Sequence, residues 1–400
     1  MSLISTASSG FGDEVKPAER AFGADVRFLS SHVETIVLRG KEGKAQVAVV
    51  PAYQGRVMTS TATGDTGTSY GWINYDQVAA GITAGAPINV FGGEERFWLG
   101  PEGGQFAIFF APGAEFDFAN WQTPPSIDTD PFEVSQQAAG EVTCRHEAKV
   151  VNHSGTSFAY RVDRHIGLMS TGEIKESLGV DASRVSSVAY RTSNRLTNTG
   201  SNDWKKETGL LSIWTLGMYK HGPETTVVIP YRQGPESELG TVVIDDYFGK
   251  VPAERLKVSD RAIFFSGDGT YRSKIGLTPQ RSTDICGSYD AARGVLTIVK
   301  YNQPGPEVTD YVNSMWEIQD EPYAGDAINS YNDGPAEPGA KPLGPFYELE
   351  TSSPALALKS GASGEHIQET YHFEGNPDAL DHLSKELLGV SLADINAALR

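Results

Sequence analysis

Along most of the chain the apolar positions come in short runs of β-branched and aromatic residues, without the three-to-four spacing of an amphipathic helix. Such runs include Glu34 to Leu38, Ala45 to Val50, Gln105 to Phe110, Ala262 to Phe265, Val295 to Tyr301, Phe346 to Glu350 and His366 to Phe373. Clusters of Gly, Pro, Asn and Asp separate them, as in Ser266-Gly267-Asp268-Gly269. The pattern predicts an all-β architecture from about Val26 to Phe373. Only the end reads as helix. Asn376-Pro377 has the form of an N-cap and first-turn proline ahead of Asp378 to Leu388, and Ser391-Leu392-Ala393-Asp394 resembles a capping box opening a second short helix.

No internal repeat, heptad pattern or low-complexity tract divides the chain, although Asp333 to Pro345 is a loop rich in Pro and Gly. The expected organisation is a loosely ordered segment over 1–22, one β-sandwich over 23–375 and C-terminal helices over 376–400 packed on that sandwich. A single domain of this size is compatible with β architecture, which runs well beyond the ~150 residues of an average domain. The 39% of hydrophobic residues is enough for a sizeable core and excludes disorder of the whole chain.

Charge narrows the partners. With 33 basic and 51 acidic residues the net charge is −18, so the average surface repels phosphate backbones and anionic lipid heads. Neither nucleic acid nor membrane is expected as a partner, and no apolar run approaches the roughly 18 residues of a spanning helix. Met1 to Phe22 has no basic start followed by an apolar stretch. The chain as written reads as cytoplasmic, or as periplasmic or secreted if a native leader has been removed ahead of Met1-Ser2-Leu3. Cys144 and Cys286, far apart in strand-like runs, read as buried thiols. Phosphate-cradling loops, His-Glu-x-x-His and Gly-x-Ser-x-Gly are absent, which sets aside nucleotide hydrolysis, zincin proteolysis and α/β-hydrolase chemistry.

Candidate chemistry concentrates in four places. In Phe346-Tyr347-Glu348-Leu349-Glu350 the strand alternation puts Glu348 and Glu350 on one face, a pair suited to general acid and base work, or else a solvated strand face. After the turn Ser360 to Gly364, a following strand carries His366, Gln368, Thr370 and His372 on one face. If the two strands form a hairpin, His366 or His372 approaches Glu348 or Glu350 as an acid/base partner; the plainer reading of the same face is a polar outer surface. Glu348, Glu350 and His366 could also hold a hard cation, but no metal or other cofactor is expected. Asn89 to Gln105 packs glycines and charges around Arg96, Trp98 and Glu102: the guanidinium fork suits vicinal hydroxyls, and the indole suits the C–H face of a pyranose. Asp326 to Pro335 is dense in amide, carboxylate and phenol groups, of which Asn329 and Tyr331 are kept as sugar-orienting candidates. His153, in Asn152-His153-Ser154-Gly155, reads as the exposed tip of a hairpin.

Two of these stretches, Gly92-Gly93-Glu94-Glu95-Arg96-Phe97-Trp98 with Pro101-Glu102, and Tyr347-Glu348-Leu349-Glu350 followed by Ser353-Pro354 and a Gly turn, resemble the galactose mutarotase-like superfamily, in its uncharacterised bacterial branch. The resemblance spans roughly Val33 to Phe373 and implies a large antiparallel β-supersandwich, here with a short C-terminal helical tail, and a sugar-binding groove on a curved sheet. It implies a late-strand glutamate that removes the anomeric proton; Glu350, or failing that Glu348, matches it. The family's mid-chain histidine does not carry over, since His153 follows an Asn but at a hairpin tip, and neither His165 nor His221 sits in a matching motif. The function expected is therefore a carbohydrate-active protein of aldose 1-epimerase type, acting on a sugar or oligosaccharide. The alternatives are a non-catalytic carbohydrate-binding protein, and a lyase or hydrolase on uronic-acid-containing glycans, in which Arg96 would meet the carboxylate.

Overall fold

The computed structural model describes residues 20–41, 44–337 and 339–400. Among these residues the strands form a ten-stranded, a five-stranded and a three-stranded sheet, and every strand pairing within them is antiparallel. The two larger sheets stack, with Tyr219, Ile275, Ile328, Tyr347 and Leu349 of the five-stranded sheet packed against Val227, Ile229, Cys286, Val299 and Tyr301 of the ten-stranded one. This is the expected β-supersandwich.

The other face of the ten-stranded sheet is apolar too, with Leu296, Ile298, Tyr371 and Phe373 covered by Leu380, Leu383, Leu388, Leu392 and Ile395 of the terminal helices. Those helices are Pro377–Leu388 and Leu392–Ala398. Asn376 caps the first by accepting from the Asp378 and Ala379 amides, and Ser391 with Asp394 closes a capping box on the second, as their local sequences predict.

Two strand-level expectations change. Gln105 to Phe110 is not a strand but an irregular segment; Gly104 before it has φ +82, and a Cβ there would lie 2.6 Å from the Gln319 side chain. Its apolar run is explained by burial, since Ala107, Ile108, Phe109 and Phe110 all lie in the core. The proposed hairpin between Phe346–Ser352 and Ser363–Gly375 does not form either. The first pairs with Ile328–Asn332 and Ser212–Lys220 in the five-stranded sheet, the second with Val295–Tyr301 and Val185–Asn198 in the ten-stranded sheet. At the amino end, residues 1–19 of the segment expected to be loosely ordered lie outside the described residues, while Phe22 is buried and opens the helix Phe22–Ser30. Cys144 and Cys286 are buried and unpaired.

Candidate functional site

The five-stranded sheet has order Ser273–Leu277, Ile328–Asn332, Phe346–Ser352, Ser212–Lys220, Arg96–Gly100. Alternation along each strand, together with the cross-strand register, decides which side chains share its face away from the sandwich core. Glu350 lies opposite Asn329 on one side and Leu216 on the other; Glu348 lies opposite Tyr331 and Met218. Lys274 faces Tyr331, Arg96 faces Leu216, and Trp98 faces Trp214. The register thus brings the candidates Arg96, Trp98, Asn329, Tyr331, Glu348 and Glu350 onto one surface.

That surface is buried, not a solvated strand face: Glu348 is 5% and Glu350 1% exposed. Arg96 donates to Glu348 at 2.5 Å, and its guanidinium lies 4.6 Å from the Trp98 ring centroid. Burial pushes the Glu348 carboxyl up to about 8, a rise that Arg96 opposes and the neighbouring Glu350 charge reinforces. Glu350 Oε2 accepts from the Trp214 indole at 3.0 Å and from Lys274 Nζ at 3.1 Å, while Oε1 has no hydrogen-bond partner. Burial pulls the Lys274 ammonium down, but the charges of Glu350 and Glu102 overcome it and leave its pKa above the ordinary value. Glu102 sits at the edge of this field, with its carboxyl raised by burial against the pull of Lys274.

Beside Glu350 lies a pocket of about 120 Å³ whose walls include Trp214, Lys274, Asn329, Asp326, Tyr247 and Ser212. Asp326 Oδ2 accepts from Tyr247 and, at 2.9 Å, from Asn329, while Asp326 Oδ1 and the Ser212 hydroxyl are buried without partners. Burial raises the Asp326 carboxyl, against the stabilising hydrogen bonds from Tyr247 and Asn329. Several polar atoms held in fixed orientation beside an indole, with hydrogen-bonding capacity unspent, make a site that can orient hydroxyl groups and move protons.

Not every candidate joins it. Tyr331 turns its hydroxyl to Asp333 Oδ1 at 2.8 Å and packs on Phe346, away from the pocket walls. His366 lies in the sandwich interior, 2.8 Å from the Thr351 hydroxyl, and Thr351 alternates to the side of its strand opposite Glu348 and Glu350. Burial holds its imidazole down at about 3, so it is neutral. The run His366, Gln368, Thr370 and His372 is therefore an inner face, not an outer one. His153 is half-buried, its ring against Phe116 and its Nε2 2.8 Å from the Ala114 carbonyl oxygen. Among the described residues no group of three His, Cys, Asp or Glu side chains is disposed to hold a metal ion. Lys274, Tyr247 and Ser212 escaped sequence reasoning; a lone lysine in the strand Ser273–Leu277 is the one local sign that could have pointed to the first.

The fold is that of galactose mutarotase-like proteins. A protein from Escherichia coli K12 provisionally named aldose 1-epimerase superposes with TM-score 0.50 at 13% identity, over 85% of this chain and 98% of its own. The Slr1438 protein from Synechocystis sp. PCC 6803 does so with TM-score 0.50 at 13% identity, over 86% of this chain and 96% of its own. Residues 20–399 match the model of a family of unknown function, DUF6786, and the chain belongs to that family. No curated protein matches the sequence. Among the described residues no helix is long and apolar enough to cross a membrane.

Proposed function

We propose that the pocket binds a sugar and that the protein interconverts its anomers by general acid and base catalysis, in the manner of an aldose 1-epimerase. The observation that carries this reading is Glu350: a buried carboxylate with one oxygen committed to Trp214 and Lys274 and the other, Oε1, unpartnered. In this reading Oε1 takes the proton of the anomeric hydroxyl as the bond from C1 to the ring oxygen breaks. In the same reading the ring oxygen takes a proton from Asp326, whose carboxyl is raised by burial and whose Oδ1 has no hydrogen-bond partner. Rotation about C1–C2 and reclosure, with both protons returned, gives the other anomer.

Lys274 holds Glu350 in place at 3.1 Å, and the Arg96–Glu348 pair lies beside it on the same sheet face. Asn329 and Trp214 on the wall orient hydroxyls and the apolar sugar face. The test is anomer exchange followed by NMR on purified protein with glucose and galactose. Glu350→Gln is expected to fold and to lose exchange, and Asp326→Asn to slow it by roughly 10²–10⁴-fold. Unimpaired exchange in Glu350→Gln would overturn the assignment.

One observation favours a second reading. No histidine is among the residues lining the pocket, so a protein that binds sugar without turning it over is the alternative, recognised by tight binding with no exchange. Uronic-acid substrates fit less well, because Arg96 is engaged by Glu348 and the pocket wall carries the Asp326 carboxyl.

A further inference from the structure

Asp326 is held by donors on one of its oxygens only. The Tyr247 hydroxyl and the Asn329 amide, the latter at 2.9 Å, both donate to Oδ2, while Oδ1 is buried without a hydrogen-bond partner. Tyr247 reaches this carboxyl from a segment outside the sheet. Within that segment the amide and carbonyl of Ile244 exchange 2.9 Å hydrogen bonds with Gly276 on the edge strand Ser273–Leu277. The Val251 amide donates back to the Asp245 carbonyl oxygen at 2.9 Å, and Lys250 pairs with the Asp245 side chain at 2.6 Å, so the chain on either side of Tyr247 is tied. Gly276 makes the approach possible, because a Cβ there would collide with Asp326 Oδ2 and lie 2.7 Å from Asn329 Nδ2.

The two oxygens of Asp326 are therefore not equivalent. A carboxylic acid accepts hydrogen bonds best at its carbonyl oxygen and donates from the other, so donors gathered on Oδ2 direct the acidic proton to Oδ1. Tyr247 is itself too weak an acid for the transfer: burial, and next the Asp326 charge, hold its phenol well above the ordinary value. The groups that bear on Asp326 are Tyr247, Lys274 on the edge strand, Asn329 on Ile328–Asn332 and Glu350 on Phe346–Ser352. Burial raises its carboxyl most and the Glu350 charge adds to the rise, while Tyr247, Asn329 and Lys274 favour the ionised form.

We propose that Tyr247 is a positioning residue for the acid: its hydroxyl fixes the Asp326 carboxyl so that Oδ1 presents the proton to the ligand. This rests on the reading of Asp326 as proton donor to the ring oxygen. The experiment is anomer exchange with glucose and galactose, with kcat, KM and the pH profile of kcat/KM measured for the parent protein, Tyr247→Phe, Asp326→Asn and protein carrying 3-fluorotyrosine at position 247. In Tyr247→Phe, which keeps the ring, kcat is expected to fall about tenfold with KM changed less than about twofold, as one hydrogen bond to the acid is lost. Its alkaline limb, which reports loss of the acidic proton, is expected to move to higher pH, because a hydrogen bond that favours the carboxylate is gone. The fluorinated phenol is a stronger donor and should move the limb to lower pH. Asp326→Asn should lack the limb, and circular dichroism confirms folding of each variant. A limb unmoved in Tyr247→Phe, or moved the same way by both replacements, overturns the positioning role and leaves the reading of Asp326 standing. A limb that persists in Asp326→Asn overturns both assignments. A parent protein that exchanges neither sugar overturns the proposed function and the role of Tyr247 with it.

Discussion

Arg96 and Glu348 meet at 2.5 Å with side chains 4% and 7% exposed, so each is the other's main compensation for leaving water. Replacing Arg96 alone by Met leaves the buried Glu348 carboxyl without its partner and is expected to lower stability by about 3–5 kcal/mol, while Arg96→Met with Glu348→Leu should recover much of the loss. Urea unfolding of the single and double variants reads this directly; a double variant no better than the single would show that shape, not charge, holds the pair. Strand alternation alone brings Glu348 and Glu350 to one face, and that much of the site was legible. The partners were not: Arg96 precedes Glu348 by 252 positions and Lys274 precedes Glu350 by 76, and nothing local encodes either pairing.

Elements with local signals follow their sequence closely. The Asn376 side chain accepts two amides at the start of Pro377–Leu388, and this helix seals the apolar outer face of the ten-stranded sheet. Asn376→Ala is therefore expected to cost about 1 kcal/mol, seen as a lower denaturant midpoint with an unchanged slope. Gln105 to Phe110 shows the limit of the same approach. Its apolar run has strand composition, yet a glycine at positive φ and close packing against Gln319 hold it in an irregular path. Burial, which the run does encode, is satisfied equally by coil when neighbouring loops supply the hydrogen bonds, as Pro101 does for the Ile108 amide.

At the scale of the whole molecule the two stacked sheets enclose polar groups as well as apolar ones. Glu95 pairs with Arg164 at 2.9 Å, Gln368 donates to Glu95 at 3.0 Å, and His372 lies 2.9 Å from Glu94. Beside them His366 is held neutral with its pKa at about 3, against 6.5 for the unfolded chain. Between those values the unfolded chain binds the extra proton, so the stability His366 contributes is complete above pH 6.5 and is lost as pH falls toward 3. The expected loss is up to about 1.4 kcal/mol per pH unit in that window. His366→Gln should flatten the dependence of the urea midpoint between pH 6.5 and 4; an unchanged slope would mean that the imidazole is not a source of acid sensitivity.

The chain's own pattern determined the β class, the capped helical tail, the pairing of Glu348 with Glu350 on one face and the resemblance to mutarotase-like proteins, because period-two alternation, capping and short motifs are all local. Tertiary structure decided the rest. Alternation divides a strand into two faces without saying what covers either, and here both faces of Phe346–Ser352 and most of Ser363–Gly375 are buried. Assigning these two strands to different sheets turned His366 into the sandwich interior and put Lys274 and Trp214 on Glu350. Such pairings join segments far apart in sequence, and only the folded sheets specify which residues meet.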